Sequence, residues 1–158
     1  LANELIKAFK SVKDALEGET VSGGTLENVT VREFTPGDVG QADCPLVMYR
    51  LDSGKELLAE YVHKTVQTEL KFSIILCENN DDQTGFGQFW LDESGKYSRG
   101  SLWLLERVMN AIDKAYFDND TQQQPPTMII KEYGLDGNIS TYTIEFVIST
   151  KLYERGTL

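Results

Sequence analysis

Few residues in this chain have the chemistry for catalysis or metal binding, and they are scattered. His63 is the only histidine, and Cys44 and Cys77 are the only cysteines. A serine nucleophile with a histidine base needs just one imidazole, but no Gly-x-Ser-x-Gly elbow accompanies His63. Cysteine–histidine catalysis needs the two groups in contact. Cys77 lies about 14 residues from His63 on the same expected strand, too far at roughly 3.3 Å per residue. One histidine and two cysteines at these spacings lack the clustering of a zinc site. His63 is therefore expected to face solvent or pack. Asp118-Asn119-Asp120 starts like a calcium loop, but Gln123 stands where the sharp-turn glycine belongs and Ile129 where the closing glutamate belongs. Gly85-Phe86-Gly87 does not continue into a dinucleotide fingerprint. Glu78, Asp81, Asp82, Asp92 and Glu93 offer oxygen ligands for a loosely held divalent cation, with solvated loop charge as the simpler expectation. No catalytic residue, cofactor site or metal site is expected, and the chain is not expected to be an enzyme.

Composition narrows the class. With 158 residues, one domain over 1–158 is expected, large enough to bury about 68–70% of its unfolded surface without staples. Fifteen basic against 25 acidic residues leave −10, spread along the chain, a surface that repels nucleic acid phosphate. No apolar run approaches the roughly 18–20 residues of a membrane span, and the amphipathic N-terminus lacks a secretory apolar core. Folding in the cytosol follows as an expectation, with Cys44 and Cys77 reduced and serving as small hydrophobes. Three glycosylation-like triplets then carry no meaning.

The elements come next. Asn3 can cap a helix reaching Glu17, with Leu5, Phe9, Val12 and Leu16 on one face and Gly18 ending it. Residues 19–43 form a long, turn-rich connection with a possible short strand at Val29 to Phe34. Pro45 to Leu51 is an apolar strand, and Asp52-Ser53-Gly54-Lys55 reads as a turn. Leu57 and Leu58 fit either the start of the next strand or one helical turn.

From Val66 the pattern alternates: Val66, Thr68, Leu70, Phe72, Ile74 and Leu76 on one face, Gln67, Glu69, Lys71 and Ser73 on the other. A strand from Val62 to Cys77 spans about 50 Å. A domain of this size is roughly 40 Å across. The strand must bend or overshoot, and its less apolar first part is expected to project as an arm whose edge invites another chain.

Residues 78–100 form a second long loop, rich in aromatics (Phe86, Phe89, Trp90, Tyr97) and so expected to pack. Ser101 to Phe117 is a helix with Leu102, Leu105, Val108, Met109, Ile112, Ala115 and Tyr116 as its apolar stripe. Thr127 to Tyr133, a loop at Gly134 to Asn138, and a long strand from Ile139 to Tyr153 close the chain as a hairpin. The expected fold class is α+β: a mostly antiparallel sheet of about four or five strands, two helices on one face, and long strands forming a projecting hairpin arm.

Four segments carry a family resemblance: Cys44 to Tyr49, Val66 to Ile74, Leu102 to Val108 and Tyr142 to Thr150. In that order, with the helix before and the hairpin at the end, the chain resembles the tail terminator proteins of long-tailed, lambda-type bacteriophages. The 78–100 insertion departs from the family's shorter pattern. The resemblance implies a ring, usually of six copies, that caps the tail tube, stops its growth and offers the surface that joins the filled head. It implies the tail tube protein and a head-completion or connector protein as partners, DNA passing through without sequence-specific binding, no membrane, and a place in the virion tail or neck after assembly in the host cytoplasm. The expected subunit or tube contacts are Lys64, Val66, Thr68 and Leu70 on the arm, with Phe86, Phe89 and Trp90 on the loop. Two alternatives stand beside it: another neck protein such as a head–tail connector, and a small-molecule-binding α+β domain with a pocket between sheet and helices.

Overall fold

The computed structural model describes residues 4–35, 37, 43–60, 65–79, 100–114, 127–136, 139–149 and 153–154. The elements, in chain order, are α1 (Glu4–Glu17), β1 (Thr30–Glu33), β2 (Leu46–Glu60), β3 (Thr65–Asn79), α2 (Ser101–Lys114), β4 (Thr127–Asp136), β5 (Ile139–Ser149) and β6 (Tyr153–Glu154). A 3-10 turn, Gly18–Thr20, follows α1 directly. The fold is α+β. Five strands run in the order β1-β2-β3-β5-β4, and β6 adds to β3. Among the described residues only β1 and β2 pair in parallel; the remaining pairs are antiparallel.

Both helices lie on one face. Val47 and Tyr49 of β2, Leu70 to Leu76 at alternate positions of β3, and Tyr142 to Ile148 at alternate positions of β5 form one core with Ala8, Val12 and Leu16 of α1 and Leu104, Leu105, Val108, Ala111 and Ile112 of α2. The alternation of β3 and β5 is what a strand with one covered face requires. At the centre, Phe72 stacks on Phe146 with ring centroids 5.3 Å apart, and Phe9 of α1 leans on Phe72 and Tyr49. The stripe of α2 is rotated from the expected one. Leu102 is 41% exposed, whereas Leu104 and Ala111 are buried. With apolar residues almost all round its first turn, the helix alone does not choose which face turns inward; the sheet chooses.

The connection after α1 is folded tightly. Glu19 accepts from the Thr25 N–H at 3.0 Å and from Lys114 at the end of α2 at 3.1 Å, and its carbonyl accepts from the Leu26 N–H at 2.9 Å. Leu26 and Val29 are thereby buried. A Cβ on Gly24 would overlap the Glu19 carbonyl, so only glycine fits this turn. The tyrosine hydroxyl of Tyr49 donates to Glu17 at 2.7 Å, tying the end of α1 to the sheet.

Several boundaries differ from expectation. Asp52 to Lys55 is not a turn: β2 passes through it with a register shift between Leu51 and Ser53 and another between Glu56 and Leu58, so Leu57 and Leu58 belong to β2, which runs on to Glu60. A bulge absorbs the polar residues that read as a turn. β3 runs on to Asn79, so Glu78 is not in a loop. β4 continues through Gly134 to Asp136, leaving a connection of two residues before Ile139. Of the expected strand from Ile139 to Tyr153, β5 and the Tyr153 start of β6 both lie beside β3, and residues 150–152 lie outside the described residues. From Ser149 to Tyr153 the chain advances four residues while the partner positions on β3 change by three, from Glu69 to Val66. Asn3, Ala115 to Phe117 and the 80–99 part of the second loop lie outside the described residues.

Candidate assembly surface

The sheet narrows along its length. β1 accompanies β2 only from Leu46 to Tyr49, and β5 accompanies β3 only as far as Glu69. β2 and β3 remain paired beyond that, through Glu56 opposite Thr68 and Ala59 opposite Val66 to Glu60 opposite Thr65. Among the described residues, the paired backbone past Glu69 is thus a ribbon of two strands, joined by β6 where Tyr153 meets Val66 and Glu154 meets Thr65. The long alternating pattern made β3 legible in the sequence. The expected last strand reaches Tyr153, which does pair with β3.

Of the expected contacts, Val66 and Thr68 are on this ribbon, at positions opposite Ala59 and Glu56. Leu70 is a correction. It is 2% exposed and belongs to the core under the helices, so its side chain is not available to a neighbour. Lys64, Phe86, Phe89 and Trp90 lie outside the described residues, as does His63.

The sheet face away from the helices is polar toward the ribbon and apolar at its other end. Arg50 Nε donates to Asp52 Oδ1 at 2.8 Å, and the buried Ser73 hydroxyl donates to Asp52 Oδ2. The Arg50 guanidinium lies 4.9 Å from the centroid of the Phe34 ring. Lys71 pairs with Glu145 at 3.0 Å. Leu46, Met48 and Cys77 form a second small cluster with Phe34, Cys44, Ile75 and Ile139 against it. Neither Cys44 nor Cys77 is in a disulfide. Burial pushes the Cys77 thiol up from its ordinary range, so it is a poor nucleophile at neutral pH. Glu78 is 2% exposed, which removes it from the acidic residues considered for a cation. Among the described residues, no three His, Cys, Asp or Glu side chains are grouped to hold a metal.

The space between sheet and helices is filled by apolar side chains. A groove of about 400 Å³ opens elsewhere, between the 24–28 turn and α2, lined by Gly24, Thr25, Glu27, Asn28, Pro45, Trp103 and Arg107. The Arg107 guanidinium covers the Trp103 ring there, 5.7 Å from its centroid. No helix among the described residues is long and apolar enough to cross a membrane. No protein-family model and no curated protein matches the chain.

Proposed function

We propose that this chain is a phage or prophage structural protein that acts by assembling: a tail terminator that forms a ring, usually of six copies, on the tail tube, stops its growth and presents the surface that joins the head. The observation that carries this is the β2–β3 ribbon, which stays paired after β1 and β5 have dropped away. Beyond Tyr49 the outer side of β2 has no strand partner among the described residues, and such an edge is a template for contact with another chain. On this reading Lys64, Val66 and Thr68, with Phe86, Phe89 and Trp90, meet a neighbouring copy or the tube, and the ribbon is the projecting arm. DNA passes through the ring without base recognition, and an acidic chain suits a channel that must not hold it.

Charge sets a condition on assembly. Six copies at −10 each sum to roughly −60, so ring closure is opposed at low ionic strength and helped by salt or magnesium. Solution mass measured against concentration, salt and magnesium, together with co-sedimentation with tail tubes, tests the proposal. A rise in mass with magnesium and binding to tube ends is expected. A monomer under all conditions with no affinity for tubes overturns it.

A further inference from the structure

We propose that the groove between the 24–28 turn and α2 is a binding site for a small monocarboxylate with an apolar body. The groove holds about 400 Å³, within the usual range for a small-molecule site. Its cation is Arg107, exposed on α2. Among the described residues no carboxylate pairs with this guanidinium, although the chain has 25 acidic residues against 15 basic ones. Its contact is the Trp103 ring one helical turn earlier, 5.7 Å away at the centroid. Trp103 is half-buried and packed against the main core. A ring anchored in the core thus supports the guanidinium and reduces the ordering that ligand binding would otherwise require.

The other wall is fixed in the same way. The Gly24 N–H donates to the Val21 carbonyl at 2.9 Å, the Glu27 N–H to the Gly24 carbonyl at 3.2 Å, and the Thr30 N–H to the Pro45 carbonyl at 3.0 Å. The Thr25 N–H is held by Glu19 at 3.0 Å. A wall whose backbone groups are already paired is formed before a ligand arrives. Pro45 and Trp103 give the groove apolar surface, and Asn28, at φ 66°, adds a side-chain amide to its lining.

Charge selects the ligand class. The guanidinium presents a planar fork of N–H donors that suits the two oxygens of a carboxylate, and also those of a phosphate. The groove is lined by Glu27 as well, whose Oε2 accepts from the Gly23 N–H at 3.0 Å. One guanidinium and one carboxylate leave the lining formally neutral within a chain of −10. Repulsion from that field is twice as large for a dianion as for a monoanion. A single carboxylate on Arg107, with its apolar carrier against Trp103 and Pro45, fits this balance; a phosphate dianion does not.

Trp90 and Trp103 are the only tryptophans, so Trp90→Phe leaves Trp103 as the sole emitter. Titrating that chain with sodium phenylacetate at fixed ionic strength should change Trp103 emission along a saturating curve. Arg107→Gln should raise the half-saturation concentration about tenfold or more, since a charge-assisted bond is lost. Arg107→Lys, which keeps the charge without the fork, should fall between the two. Phenyl phosphate at about pH 8, where it is a dianion, and the neutral 2-phenylethanol should both need higher concentrations than phenylacetate. Thermal melts show that each variant is folded. A response that does not saturate, or a half-saturation unchanged by Arg107→Gln, overturns the site. Phenyl phosphate or 2-phenylethanol binding as tightly as phenylacetate overturns the assignment to monocarboxylates.

Discussion

Replacing Tyr49 by Phe isolates one bond between α1 and the sheet. The ring is fully buried and tilted against Phe9 with centroids 5.8 Å apart, contacts that phenylalanine keeps. What is lost is the 2.7 Å hydrogen bond from the hydroxyl to Glu17. A bond to a charged acceptor contributes about 1.5–3 kcal/mol, and a partly buried carboxylate recovers some of this from water. The expected loss at pH 7 is about 1 kcal/mol, or about 2–4 °C in Tm for a domain of this size. Burial and the neighbouring Glu17 carboxylate push the Tyr49 phenol far above its ordinary value. The folded state thus holds this proton more tightly than the unfolded state, so the stabilisation is complete below about pH 10 and is lost as pH rises above it. Each pH unit above 10 costs the wild type about 1.4 kcal/mol that the Phe variant does not lose. The two stability curves should converge and cross at about pH 11. Denaturant unfolding from pH 7 to 11, followed by circular dichroism, measures this. A difference that stays constant with pH, or a Phe variant as stable as wild type at pH 7, refutes the reasoning.

Other consequences are simpler to state. Phe72→Ala empties the position between Phe9 and Phe146 and should cost about 3–5 kcal/mol in denaturant unfolding. Gly24→Ala should cost about 1–3 kcal/mol, because the added Cβ meets the Glu19 backbone, which is itself bonded to Leu26. The Thr25 N–H and then Lys114 hold the Glu19 carboxyl below its usual value. Its contribution to stability is therefore present above about pH 4.3 and fades as pH falls through the folded value. In Glu19→Gln the acid side of the pH–stability curve should flatten slightly, read by thermal melts from pH 3 to 7.

The legible parts of the fold were those with a long, unbroken period. Val12 and Leu16 of α1, the Leu70 to Leu76 face of β3 and the Tyr142 to Ile148 face of β5 are buried as their spacing marks, and Phe9 of α1 is partly buried against them. Legibility failed where polar residues sit inside a strand. Asp52, Ser53 and Gly54 have turn chemistry, yet β3 across the ladder holds them extended with a shift in register. Glu78 read as the start of a loop, and the strand carries it into a buried position. Of the expected contact residues, Val66 and Thr68 lie in the β2–β3 ladder past Glu69, but Leu70 is core, because periodicity does not mark where the helices stop covering a strand.

The sequence by itself determined the class: two amphipathic helices, alternating strands long for their domain, and an acidic surface. These follow from local periodicity and composition, which each segment carries alone. The tertiary structure decided which strands are neighbours, where those neighbours end, and which rung each residue occupies. Pairing depends on partners distant in the chain, so the parallel entry of β1, the return of β6 to Val66 and the shared rung of Val31 and Tyr133 exist only once the sheet has formed.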